Sequence, residues 1–265
     1  MTSQELQDLT NNVIELSRSI GEWMISQRID KHMAEIKTEN NLVTYVDKES
    51  ERRFVEGLQM LLPEAGFVAE EGSGTPKPGG LNWVIDPLDG TTNFVHGVPV
   101  WCTSIGLTDE NESILGVIFD PNRNEMFSAS RGNGAFLNGQ KIEVSSINEL
   151  SASLLATGFP YDDFGREEPY MHLFKKLMRS TRGMRRLGSA ALDMAWTACG
   201  RFEGFYEYGL NPWDVAAGVV IIKEAGGKAT EFNGGDNPVF GEDLNCTNGH
   251  IHAELEEVIS LFFSK

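Results

Sequence analysis

The stretch that most constrains this chain runs Trp83-Val84-Ile85-Asp86-Pro87-Leu88-Asp89-Gly90-Thr91-Thr92-Asn93-Phe94. It opens as a short apolar run, the pattern of a buried strand, and stops in Asp-Pro-Leu-Asp-Gly-Thr-Thr. Two carboxylates at the end of such a strand are poor core material, because burying a charge costs heavily unless it is paired. Pro87 has no N–H to give to a ladder, so the regular strand is predicted to break there. Gly90 permits a tight reversal. The two threonines can start a helix whose free N–H groups face the same space as the carboxylates. A turn of this kind suits hard cations on oxygen ligands and an anion on backbone donors, side by side.

The 265 residues suffice for one large α/β domain or two small ones. Hydrophobic residues make up 40% and charged residues 23%, which excludes a disordered chain. The net charge of −17 argues against non-specific nucleic-acid or membrane binding as the main task. Three cysteines, Cys102, Cys199 and Cys246, form no C-x-x-C pair and fit a reducing compartment. The first residues are polar and acidic rather than leader-like. No run approaches the roughly 18 apolar residues a spanning helix needs. A cytoplasmic protein with no membrane partner is the expectation.

Leu6, Leu9, Val13, Leu16, Ile20 and Trp23 recur at steps of three and four and predict an amphipathic helix over 3–30. Residues 34–46 are mixed and polar. A second helix follows Asp47 and stops at Pro63. Residues 66–71 read as a short strand ending in Glu70 and Glu71, and a Gly/Pro-rich loop occupies 72–80. Strands are predicted at 101–108, 113–119 and 125–130, with turns at Asp120-Pro121-Asn122 and Asn138-Gly139. From Ser153 the pattern alternates: strand 153–157, helix 167–180, strand 184–187, helix 189–199, strand 202–207, helix 213–225, strands 227–232 and 243–247, helix 251–263. A β-rich middle followed by α/β alternation predicts a layered α/β protein with more than one sheet. No long linker interrupts it; a division near residue 150 is expected, with the two parts tightly packed.

Carboxylates fall at strand ends or helix starts in four places: Asp47, Glu70-Glu71, Asp86 with Asp89, and Asp214. Singly, each has an ordinary explanation. An acid in a first helical turn gains roughly 0.3–1 kcal/mol from the helix dipole, and Asp47 alone reads as an N-cap. Glu71 reads as a surface acid. Asp214 stands in Trp213-Asp214-Val215-Ala216-Ala217-Gly218, where small residues allow another backbone to come close.

Taken in order, Glu70-Glu71, Asp86-Pro87-Leu88-Asp89-Gly90-Thr91-Thr92 and Trp213-Asp214-Val215-Ala216-Ala217-Gly218 resemble the signature motifs of the inositol monophosphatase family, across nearly the whole chain. The stretch Gly183–Leu192 also resembles bacterial members. Ala69 departs from the glycine many members carry before the paired glutamates, and Leu88 from a common isoleucine.

The resemblance implies a five-layer α-β-α-β-α sandwich formed by residues 1–265 as one domain. Residues 1–150 would carry the metal site and 151–265 would close the substrate pocket. It implies two to three Mg²⁺ ions on Glu70, Asp86, Asp89, Asp214 and the backbone carbonyl of Leu88, an all-oxygen set of the kind Mg²⁺ prefers. Gly90 and Thr91 would bind the substrate phosphate, while Thr91 and Asp47 would orient and deprotonate the attacking water. Glu207, Ala190, Ser189 and Gly188 match the segment that reads the alcohol; Lys37 is a looser match to a lysine near the metals. Inhibition by Li⁺ and a homodimer are further implications. The substrate would be inositol monophosphate or a similar small polyol phosphate. Fructose-1,6-bisphosphate, histidinol phosphate and nucleotide 3′-phosphates remain open, since relatives acting on them share the metal core.

Two features stand outside this set. The five histidines are scattered, and only His96 lies near the motif. Between Pro169 and Leu192 there is no acid, while Lys175, Lys176, Arg179, Arg182, Arg185 and Arg186 all fall there. This basic island fits a solvated face with a subunit contact, or a docking patch. The patch matters because some bacterial relatives resembling this chain also act as binding partners of the transcription machinery, which leaves a regulatory protein binding RNA or that machinery as the alternative to an enzyme.

Overall fold

The computed structural model describes residues 1–27, 35–38, 41–110, 112–161 and 164–263, with the backbone alone at 35–38, 41 and 42. The chain opens with α1 (Ser3–Ser26), capped by a reciprocal pair in which Thr2 and Glu5 bond each other's backbone N–H. Residues 28–30 of the helix expected over 3–30 lie outside the described residues. A small hairpin of β1 (Glu35–Thr38) and β2 (Asn41–Val43) leads into α2 (Tyr45–Leu61), which ends before Pro63 as expected. The N-cap of α2 is Thr44, however, and Asp47 sits three residues on, where its carboxylate bonds back to Thr44 N at 2.8 Å. The expectation that Asp47 caps the helix is therefore corrected by one turn.

A seven-stranded sheet follows in nearly sequential order: β3 (Gly66–Ala69), β4 (Leu81–Asp89), β5 (Cys102–Asp109), β6 (Glu112–Asp120), β7 (Glu125–Ser130), β8 (Gly134–Leu137) and β9 (Gln140–Ile142). All neighbours are antiparallel except β3 and β4. The strand β4 does not stop at Pro87, as its missing N–H predicted. It continues to Asp89 through a slip in which Asp86 pairs Ser104 while Asp89 pairs Cys102. Three steps on β4 thus oppose two on β5, and this bulge leaves Pro87 without a ladder obligation. The short helix α3 (Thr91–His96) starts immediately after Gly90.

The second sheet has five strands in the order β11 (Gly183–Arg185), β10 (Leu154–Thr157), β12 (Gly204–Tyr208), β14 (Asp243–Thr247) and β13 (Lys228–Thr230). Four more helices, α4 (Glu167–Ser180), α5 (Ala190–Ala198), α6 (Pro212–Glu224) and α7 (His252–Ser260), alternate with them. The predicted elements from 153 onward are recovered within a few residues; β1, β2, β8 and β9, each of three or four residues and too short to show a period, are not predicted.

Three apolar cores fix the layers. The first joins α1 and α2 to one face of the seven-stranded sheet through Val13, Phe54, Trp83, Ile105 and Val117. The second lies between the sheets and is filled by α5 and α6, with Leu192, Val219, Ile222 and Phe205. The third packs α4 and α7 on the outer face of the five-stranded sheet through Leu173, Tyr206, Tyr208 and Leu255. The result is a five-layer α-β-α-β-α sandwich. The small residues of α6 permit its intimate seat: a side chain at Gly116 would lie 2.4 Å from the Ala217 carbonyl, and one at Gly106 2.8 Å from the Ala216 methyl. Among the described residues, no helix is long and apolar enough to cross a membrane.

Candidate active site

The bulged end of β4 opens into a cavity of about 270 Å³ between the two sheets. From the first sheet come Glu70, Asp86, Leu88, Asp89, Gly90 and Thr91. From the middle helices and the second sheet come Gly188, Ser189, Ala190, Glu207 and Asp214. Every site residue expected from the sequence lines this cavity except Asp47, which stands directly behind Thr91. The side chain of Lys37 lies outside the described residues. His96 is exposed and is not among the residues that line the cavity.

Local geometry explains how each carboxylate is held. Asp86 accepts from Leu88 N at 2.9 Å across the bulge. Asp89 spends Oδ2 on Ser189 Oγ and Ala191 N, both at 2.7 Å, tying the first sheet to the start of α5. Asp214 is the third residue of α6 and spends Oδ2 on Asn211 N at 2.6 Å. Gly90 adopts φ +97, and a side chain there would meet the Val100 carbonyl at 3.0 Å, so the turn needs glycine for both conformation and space. The first turn of α3 has no side-chain cap. Asn93 Nδ2 donates to the Val100 carbonyl at 2.7 Å and the Leu187 carbonyl at 2.9 Å, clipping α3 to the segment before Ser189.

Behind the turn, Thr91 Oγ1 donates to Asp47 Oδ1 at 2.9 Å, with the Leu88 carbonyl as a second acceptor at 3.0 Å. Asp47 Oδ2 accepts Thr44 N at 2.8 Å and Thr44 Oγ1 at 2.5 Å. Asp47 is fully buried, and burial holds its carboxyl above the usual range against the hydrogen bonds from Thr44 and Thr91. Asp86 is pushed up by burial and by the negative fields of Glu70, Asp89 and Asp214. Asp89 and Asp214 are raised too, first by burial and then by neighbouring acids against their backbone bonds. Glu70 and Asp86 lie close enough for their carboxyl groups to hydrogen-bond each other. Two carboxylates in contact require a proton or a cation between them.

This is the observation on which a metal fits. Four acids and a carbonyl present only hard oxygen donors and raise one another's affinity for positive charge. Among the described residues, no three His, Cys, Asp or Glu side chains are drawn together as a closed coordination cluster. The acids ring an open space instead.

Among the lining residues that the sequence does not single out for the site, Asp193, Gly158 and Arg186 bear most on its chemistry. Asp193 is 1% exposed, lines the cavity one turn after Ser189, and leaves Oδ1 without a hydrogen-bond partner. Gly158 lies directly against Glu207, since a side chain there would fall 2.0 Å from its carboxylate. Arg186, assigned to the basic island, lines the cavity with its guanidinium near the rings of Phe159 and Tyr161. Arg186 is exposed, as are the other members of the island, Lys175, Lys176 and Arg179 along α4 and Arg182 and Arg185 after it.

The family model for the inositol monophosphatase family matches residues 5–262. The chain belongs to the inositol monophosphatase family. An inositol-1-monophosphatase of Rhizobium meliloti is 38% identical over 92% of this chain and 90% of its own length. A protein of Pseudomonas aeruginosa named Nus factor SuhB is 40% identical, covering 86% of this chain and 87% of its own. Among solved structures, an inositol monophosphatase from Anabaena superposes with a TM-score of 0.86 at 38% identity, covering 97% of both chains. The extragenic suppressor protein suhB of Bartonella henselae superposes at 0.88 with 32% identity, over 94% of this chain and 97% of that one. Family membership supports a phosphatase, and proteins of this family are generally Mg²⁺-dependent.

Proposed function

We propose that this chain is a Mg²⁺-dependent phosphomonoesterase acting on inositol monophosphate or a similar small polyol phosphate, with water as the attacking group. The observation that carries this reading is the single cavity in which Glu70, Asp86, Asp89, Asp214 and the Leu88 carbonyl face Glu207, with the Thr91–Asp47 pair behind. Two to three ions would be held by Glu70, Asp86, Leu88 O, Asp89 and Asp214. When bound, Mg²⁺ supplies the positive charge that neutralises the acids and makes a nearby water more acidic.

The chain's own groups do the rest. Gly90 and Thr91 present the first-turn N–H groups of α3 to the phosphate. Thr91 Oγ1 has its proton committed to Asp47, so its lone pairs are turned to accept from the water. Asp47, already raised in proton affinity, is the sink at the end of that relay. Glu207, on the inner face of β12, and the Gly188-Ser189-Ala190 segment hold the hydroxyls of the alcohol. Asp214, between the acids and Glu207, faces the departing oxygen. No Ser or Cys nucleophile is assigned a role. Residues 1–150 supply Glu70, Asp86, Asp89 and the relay, and 151–265 add Asp214 and close the pocket over the alcohol, the two working as one domain. A homodimer, a cytoplasmic location and inhibition by Li⁺ complete the reading.

The test is Mg²⁺-dependent phosphate release from inositol-1-phosphate, fructose-1,6-bisphosphate, histidinol phosphate and adenosine 3′,5′-bisphosphate. Release from none of them would refute an enzyme of this class; release from another member of the panel first would replace the substrate. A second reading rests on the Nus-factor relative and the exposed basic residues of α4: the chain also binds RNA or the transcription machinery. That role predicts salt-sensitive association that survives Asp86→Asn.

A further inference from the structure

Glu51 is a fully buried acid with no part in the relay or the metal set described above. It lies one turn beyond Asp47 on α2, so the two carboxylates share a helix face. Its Oε2 accepts Glu71 N at 2.7 Å and its Oε1 accepts Ser73 N at 2.9 Å. Between these donors stands Gly72 at φ +86, with its N–H on the Ala69 carbonyl at 3.2 Å. The turn thus brings two N–H groups, one on each side of Gly72, onto a single carboxylate, that of Glu51.

Glu70 is thereby held from both sides. Its own N–H is bonded to the Ile85 carbonyl at 3.1 Å, immediately before Asp86 on β4. Of the N–H groups that follow it in the turn, those of Glu71 and Ser73 end on Glu51. We propose that Glu51 is a positioning residue for Glu70: it sets where the Glu70 carboxylate meets Asp86. One helix would then place both halves of the machinery, Asp47 against Thr91 and, four residues on, Glu51 under the Glu70 turn. The proposal rests on Glu70 and Asp86 binding Mg²⁺. Glu51 would touch neither ion nor substrate; it acts through the turn.

The test uses the full chain and MgCl₂ alone, titrated calorimetrically, beside the Mg²⁺ dependence of turnover. Glu51→Gln keeps the volume and one accepting oxygen but loses the charge and one N–H bond. Mg²⁺ affinity is expected to fall on the order of 10-fold, the usual effect of removing a group that orients a ligand, while turnover at saturating Mg²⁺ largely recovers. Leu58→Ala, in the α2 core, should lower the melting temperature without moving the affinity. Gly72→Ala strains the turn while leaving α2 intact, and open space surrounds that position; it should shift affinity in the same direction even if Glu51→Gln folds poorly. Unchanged Mg²⁺ affinity in Glu51→Gln, or in Gly72→Ala where only that variant folds, overturns the proposal. So does an equal loss in Leu58→Ala. If the wild-type chain binds no Mg²⁺, or Asp86→Asn binds it equally well, the metal reading fails first and takes this proposal with it.

Discussion

Glu207→Gln should invert its effect on stability between pH 5 and pH 8.5. The Glu207 carboxyl is buried on β12 and is pushed up from 4.5 to about 8, by burial first and then by Asp214, with Arg186 opposing. At about 1.36 kcal/mol per unit, the ionised form is disfavoured in the fold by at most about 5 kcal/mol. A raised carboxyl favours folding fully below its unfolded value near 4.5, and that contribution is lost as pH rises toward about 8. Glutamine is neutral throughout but buries an amide, at a cost of about 1–3 kcal/mol where it finds no partner. At pH 5 the variant should therefore be less stable than wild type by about 1 kcal/mol. At pH 8.5 it should be more stable by about 2–4 kcal/mol, the ceiling less the amide cost. For a chain of this size that is a rise in melting temperature of about 5–10 °C. Scanning calorimetry in EDTA at the two pH values measures both signs. Melting temperatures of wild type and variant that run parallel across pH would refute the argument that Glu207 carries this strain.

Asp86→Asn should abolish Mg²⁺-dependent phosphate release and remove the Mg²⁺-induced rise in melting temperature, both read on the same preparation. Thr91→Ala breaks the 2.9 Å bond to Asp47; turnover should fall by about 10²-fold or more, while calorimetric Mg²⁺ binding changes little. Asn93→Ala orphans the carbonyls of Val100 and Leu187 and should cost about 1–3 kcal/mol in urea unfolding. Because it also loosens the segment before Ser189, it should raise KM more than it lowers kcat.

The helices were legible where apolar spacing was strong, as in α1 and α4, and the strands where runs were long, as in β5 to β7. The acids that line the cavity were legible only as an ordered set, because Glu70, Asp86 and Asp214 each have an ordinary explanation alone. What stayed hidden depends on contacts distant in sequence. Glu51 reads as one more acid on a charged helix until the 71–73 turn folds over it. Gly158 reads as a strand end until Glu207, forty-nine positions later, is seen against it. Asp193 sits in an apolar helical pattern that gives no hint of its unpartnered oxygen. Arg186 was grouped with its basic neighbours because sequence proximity does not reveal that it turns toward the cavity.

Asp47 shows why a local reading can be right and still insufficient. It and Asp214 are both third residues of helices whose N-caps they bond back to, Thr44 and Asn211. Such a bond commits one carboxylate oxygen to the local helix start. It also fixes the side chain's rotamer, and the other oxygen is thereby aimed without further cost in side-chain entropy. In Asp47 that second oxygen takes Thr91 Oγ1; Asp214 lines the cavity. The helix start that makes each aspartate look ordinary is what holds it rigid, so capping and site geometry are two uses of one carboxylate. Removing the cap partner while keeping the acid separates them: Thr44→Val should leave Asp47 in place with a looser rotamer. Turnover should fall by less than in Thr91→Ala, with a stability loss of about 1 kcal/mol, and a fall as deep as that of Thr91→Ala would mean that Thr44 belongs to the relay itself.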